Sequence, residues 1–90
     1  MNEVFEALAH PVRREILRLL RKKAMSAGEL AEHFTIAKPT LSGHFSVLKI
    51  ADLVTTERNG TTIIYRLNMS VMEEALAAFV SLAGIKGKEK

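Results

Sequence analysis

A mainly α-helical chain with one small β-hairpin, about five helices and a two-strand wing, is what this sequence predicts. Three observations predict it. Between Ser26 and Ile50 two short stretches carry apolar residues at three- and four-residue spacing, each opened by a helix-start signal. From Leu53 to Leu67 the chain turns rich in β-branched residues around Asn59-Gly60, the strongest short-range hairpin signal. Further amphipathic stretches stand on either side. Helix, tight turn, helix and hairpin is the order of a winged helix-turn-helix, and that order points to DNA.

Residues 3 to 9 make a short helix with Val4, Phe5 and Leu8 on one side. A second helix opens at Pro11, with Val12, Ile16, Leu17, Leu19 and Leu20 as core candidates. It is crowded with Arg13, Arg14, Arg18, Arg21, Lys22 and Lys23, of which Arg14, Arg18 and Arg21 share one face. Two readings stand open. The face is solvated, with Lys22 and Lys23 complementing the C-terminal end of the helix dipole, or it meets phosphate.

The helix-turn-helix unit begins at Ser26, which with Glu29 forms a capping box. Ala27, Leu30, Ala31 and Phe34 give that helix its apolar face, and Thr35-Ile36-Ala37 is the turn. Lys38-Pro39 restarts a helix, since proline at the first helical position lacks only an N–H that would have had no partner. Leu41, Phe45 and Leu48 line its inner face. The opposite side carries Pro39, Gly43, Ser46 and Ile50, flanked by Thr40, Ser42 and Val47.

That outer face is small, hydroxylated and uncharged, which suits close approach in a major groove, where Ser and Thr bond base edges or phosphates. Solvated polar residues on an exposed helix would look the same. The DNA-facing set of this helix is Lys38, which can meet a phosphate, with Pro39, Thr40, Ser42, Gly43, His44 and Ser46, His44 standing at the edge of the buried face. In the wing, Leu53–Arg58 and Thr62–Leu67 flank the Asn59-Gly60 tip. Arg58, Asn59, Thr61 and Thr62 cluster there, where a cation and short polar groups reach the backbone or minor groove.

Ser70 caps the last helix, 70–84, with Glu73 completing a second capping box. Met72, Leu76, Phe79 and Ala83 follow at i, i+4, i+7 and i+11, with Val80 beside them. The middle helices already supply a core, so this stripe and the Val4, Phe5 and Leu8 face lack an intrachain partner. Pairing with a second copy covers both; packing back on the domain is the alternative. The tail, 85–90, is short and polar and is expected to fray.

Composition describes one small domain spanning 1–90, of which 48% is hydrophobic. A chain this short buries a thin core, which dimerisation would thicken. Net charge is only +3, from 13 Lys and Arg against 10 Asp and Glu, so basicity alone says little about nucleic acid. With no cysteine, thiolate metal sites and dithiol switches are excluded. No run of 18 apolar residues occurs and no signal-peptide layout opens the chain, so a cytoplasmic location is expected.

Catalysis would have to use His10, His33 or His44, and no spacing brings a carboxylate or nucleophile beside any of them. His10 ends the first helix in this reading. No phosphate loop, nucleophile elbow or metal motif is present, so neither an enzyme nor a cofactor is implied. The rival to DNA binding is a protein-interaction module on the same fold.

Several segments together resemble the ArsR-type winged-helix repressors: Phe5-Glu6-Ala7-Leu8-Ala9-His10-Pro11-Val12-Arg13-Arg14-Glu15-Ile16-Leu17, Gly28-Glu29-Leu30-Ala31, Ser42-Gly43-His44-Phe45-Ser46-Val47-Leu48, and the wing from Asp52-Leu53-Val54 through Arg58-Asn59-Gly60 to Tyr65-Arg66-Leu67. The resemblance spans 3–84. It implies a homodimer that represses transcription by covering a pseudo-palindromic operator in double-stranded DNA, and in many members a metal or oxidant that releases it. Here the family's paired cysteines fall at Ser26 and Gly28, and the last helix has no histidine. Lys38-Pro39-Thr40 followed by Ser42-x-His44 resembles the metal-independent autorepressor branch. That branch implies no metal, and control by abundance, autoregulation or a sequestering protein partner.

Gly43 is a second departure, since relatives carry a larger side chain there. Glycine inside an exposed helix costs about 1 kcal/mol against alanine. Close backbone approach to DNA and weak base readout both fit it.

Overall fold

Pro11 opens a helix whose cap is the preceding histidine: Val12 N–H donates to His10 Nδ1 at 3.1 Å. His10 therefore starts the second helix, and the first ends at Leu8, with Ala9 as its C-cap. The computed structural model describes residues 1–85. Its elements are α1 (Asn2–Leu8), α2 (Pro11–Lys22), β1 (Met25–Ser26), α3 (Ala27–Ala31), α4 (Lys38–Ile50), β2 (Val54–Asn59), β3 (Thr62–Leu67) and α5 (Met69–Ala83). The fold is the winged helix-turn-helix that the order of elements predicts.

The capping box is present at α3: Glu29 N–H donates to Ser26 Oγ at 3.0 Å and Ser26 N–H to Glu29 Oε1 at 2.8 Å. The helix is shorter than its apolar pattern, ending at Ala31, so Phe34 packs on the core from the loop rather than from the helix. α4 turns Leu41, Phe45 and Leu48 inward. They meet Ile16, Leu17 and Leu20 of α2, Leu30 of α3 and Leu53 before the wing in one core. Each such side chain contributes roughly 1.5–3 kcal/mol on burial. Four of them, Ile16, Leu30, Leu48 and Leu53, are sealed from solvent, and this holds α4 against the body of the protein.

The wing belongs to three strands, not two. Order is β1-β3-β2, all antiparallel, with Met25 opposite Tyr65 and Ser26 opposite Ile64. The hairpin loop is shifted by one residue from the expected tip, because Asn59 pairs with Thr62 and leaves Gly60-Thr61 as the two-residue loop. Gly60 has φ 67° and Thr61 has none of the positive φ that a mirror-image type I turn needs. Glycine first is the type II′ pattern, which matches the twist of the strands.

Ser70 does not cap α5. Asn68 does, through its backbone geometry, since its side chain donates instead to the Asp52 carbonyl at 2.9 Å and its N–H to the Leu53 carbonyl at 2.9 Å. These two bonds fix the chain before Ser70 is reached, so the cap falls two residues earlier than the sequence suggests. Gly84, at φ 74°, closes α5, with Gly84 N–H on Ser81 and Ile85 N–H on Val80, the paired bonds of a Schellman motif. From residue 86 the expected frayed tail lies outside the described residues.

Candidate nucleic-acid interface

α4 presents a face that the core leaves free. Lys38, Pro39, Thr40, Ser42, Gly43 and Ser46 are all exposed, with Ile50 continuing the face at 72% exposure. Ala37 at the N-cap makes no side-chain hydrogen bond, so the first-turn N–H groups beside Lys38 are open to an anion. Around Gly43 an added Cβ would meet nothing within 4 Å. The folded chain by itself does not require glycine there.

His44 turns away from this face. Its Nδ1 lies 3.0 Å from Arg13 Nη1, and its ring stacks on His10 with centroids 4.4 Å apart, tilted 52°. Burial first, and then the neighbouring His10 and Arg13, hold its pKa below the ordinary 6.5. Sequence spacing brought no partner to either histidine because α2 and α4 meet only through the tertiary fold. That leaves the outer face itself without a histidine or a carboxylate among the described residues.

Arg58, Asn59, Thr61 and Thr62 are exposed in the wing. Glu57 and Arg66 pair across it at 3.1 Å, an exposed contact worth at most about 1 kcal/mol. Among the described residues Lys38 and Arg58 have no ion-pair partner, so both keep their charge for another molecule. At the wing's inner end Tyr65 packs on Phe45, ring centroids 4.8 Å apart, and burial pushes its phenol pKa up. This contact ties β3 to the recognition helix.

The basic face of α2 stands elsewhere. Arg14, Arg18 and Arg21 edge an open trough of about 490 Å³ floored by Leu8, Leu17, Leu67, Met69 and Met72, which includes no residue of α4. Arg14 donates to the Leu8 carbonyl at 2.8 Å and Arg18 pairs with Glu15.

The apolar residues of the two end helices meet. Phe5 and Phe79 pack with centroids 4.9 Å apart, yet Phe79 stays 49% exposed and Leu76 64%. Val80 is half-buried and Ala83 exposed, while Leu8 and Met72 pack partly on the core. Val4 is a correction: it faces inward beside Ala7, both buried, because α1 docks on α4 through that side. Leu82, 75% exposed, joins the outward stripe and was missed, although it stands three residues after Phe79. Among the described residues no group of three His, Asp or Glu converges to hold a metal, and no helix is long and apolar enough to cross a membrane.

Comparison with known proteins gives this geometry a family. A family model described as a helix-turn-helix domain matches residues 8–57. The chain is 45% identical over 76 residues to the transcriptional repressor SdpR of Bacillus subtilis, covering 84% of each. To the arsenical resistance operon repressor of Staphylococcus xylosus it is 38% identical over 73 residues, 81% of this chain and 70% of that one. A crystal structure of a possible transcriptional regulator for arsenical resistance superposes with a TM-score of 0.80 at 34% identity, covering 86% of this chain and 80% of that one. A winged fold with its recognition helix exposed, matched along most of its length by these repressors, identifies the chain as a member of the ArsR-type family of helix-turn-helix transcriptional regulators, a family of regulators rather than enzymes.

Proposed function

We propose that the chain is a homodimeric transcriptional repressor that reads a pseudo-palindromic operator through α4 and grips its backbone through Lys38 and Arg58. One observation carries this: a core-anchored helix shows solvent a close-fitting face of Thr40, Ser42, Gly43 and Ser46, flanked by Lys38 at its start and a polar wing bearing Arg58. Two copies would seat their α4 helices in successive major grooves, with half-site centres about 10 bp apart. Thr40, Ser42 and Ser46 then govern which sequence is bound, and Lys38 and Arg58 how tightly any sequence is bound.

The test is a titration of a duplex from upstream of the chain's own gene at several salt concentrations. Lys38→Ala and Arg58→Ala should each flatten the slope of log K against log[salt] by about 1 per phosphate contact and subunit. An unchanged affinity and slope in the double variant would remove the helix start and wing from the backbone. Failure of the unaltered protein to bind any such duplex would favour a protein-interaction module.

The signal is read as something other than metal or oxidant. Ser26 has its hydroxyl engaged in the α3 cap and Gly28 has no side chain to ligate with. Control by abundance, autoregulation or a sequestering protein follows. Micromolar zinc, copper or peroxide should leave duplex affinity unchanged, and a chelator-reversible loss would contradict this.

A further inference from the structure

Arg13 holds three elements at once. Its Nε donates to the Ala7 carbonyl at 2.8 Å and its Nη2 to the Glu6 carbonyl at 2.9 Å, two carbonyls of the last turn of α1, the second of which also accepts from Ala9 N–H at 3.1 Å. The third arm, Nη1, reaches His44 Nδ1 at 3.0 Å on the recognition helix. One guanidinium in α2 thus joins the end of α1, whose Phe5 packs on α5, to the middle of α4.

A guanidinium only donates, so this contact exists only while His44 Nδ1 keeps its lone pair. The ring is then neutral, with its proton on Nε2. His10, stacked on it, is engaged in the same way, its Nδ1 accepting from Val12 N–H. A proton added to His44 sets N–H against N–H and a positive ring beside Arg13. Among the described residues no carboxylate pairs with the ring to offset it. His10 and Arg13 are the ionisable groups against the ring; Glu3 and Glu6 of α1, Glu15 of α2 and Glu57 and Arg58 of β2, the other elements packed on α4, make no ion pair with it.

We propose that Arg13 is the positioning residue that fixes the recognition helix relative to the α1–α5 face, and that proton uptake by His44 undoes this joint and weakens DNA binding. The proposal rests on the reading of α4 as the DNA-contacting helix and of α1 and α5 as the dimer face. Acidification by itself makes a protein more positive and favours DNA. A loss of affinity on acidification therefore runs against the general electrostatic trend and reports the joint.

Two measurements on the whole chain test it. In the first, backbone amide and histidine Cε1–H resonances are followed from about pH 8 to about pH 5, through the range in which imidazole titrates. Amides of Ala7 and Leu8 in α1 should move with the same midpoint as His44, as should Phe45 and Ser46. In Arg13→Gln, and in Arg13→Lys if the first does not fold, the α1 amides should cease to follow His44. The second measures affinity for the upstream duplex at constant ionic strength. Between about pH 7.5 and about pH 5.5 the unaltered protein should lose affinity more steeply than His44→Asn, one pKa unit of linkage setting a ceiling of about tenfold per histidine. Asparagine offers Arg13 an amide oxygen near the place of Nδ1 and does not titrate.

The joint is overturned if α1 amides are unmoved at the His44 midpoint, or if His44→Asn loses affinity as steeply as the unaltered protein. No duplex binding even at neutral pH would instead remove the DNA reading, and the amide titration would still decide the joint.

Discussion

At Asp52 the backbone turns left-handed, φ 60°, to end α4, with Asp52 N–H on the Lys49 carbonyl and Leu53 N–H on that of Leu48. That conformation costs an L-residue about 1–2 kcal/mol, and glycine avoids it. Asp52→Gly should therefore raise stability by about 1 kcal/mol, or about 4–8 °C in Tm for a domain of this size. Gly43 is the converse case. Helical and in open space, it should gain about 1 kcal/mol on Gly43→Ala in urea denaturation. The expected companion result is weaker duplex binding, since the new methyl would stand between helix backbone and groove. His44 supplies the pH dependence. Its folded pKa lies below the ordinary 6.5, so the unfolded chain takes up protons first as pH falls. Its contribution to stability is complete above about 6.5 and is lost as pH falls through the folded value. Urea midpoints should drop from pH 7 towards pH 5 less steeply in His44→Asn than in the unaltered protein.

Among the elements, α3 depends most on a local device, because five residues hold few helical bonds of their own. Ser26→Ala removes one half of the box and should cost about 1 kcal/mol, measured by chemical denaturation. This cap, the inward Leu41, Phe45 and Leu48, and the hairpin were all legible in the sequence, because each is written in residues a few positions apart. What was not legible depends on contacts between distant segments. β1 has two residues, too few to show a period, and exists through pairing with Tyr65 and Ile64. Ser70 and Glu73 have the spacing of a capping box, but Asn68 is held by Leu53 and Asp52 before that box can form. His44 and Arg13 are 31 positions apart, so no helical spacing rule connects them, and the histidine was grouped with a face from which it turns away.

Over the whole molecule, Leu76, Phe79 and Leu82 of α5 stand exposed beside Phe5, the apolar surface that the proposed homodimer would cover. Phe79→Asp should give a monomer in sedimentation, with loss of duplex binding; a folded dimer would move the interface elsewhere. Leu82→Asp, at a residue with no role in the chain's own core, should weaken association while leaving the fold intact by circular dichroism. The sequence placed most of this surface by its helical period but assigned Val4 to it, since a seven-residue helix has too few turns to show which side docks. The sheet order carries a different consequence. β2 is an open edge, its outer N–H and C=O groups unpaired, and the residues after Val54 along it are exposed and polar. Such an edge is a template for cross-β growth, which charges on the strand oppose. Replacing Glu57 and Arg58 by valine would leave an uncharged β-branched run from Val54 to position 58. Heated samples of that variant should develop thioflavin fluorescence earlier than the unaltered protein, marking the wing as the place where this fold guards itself against fibrils.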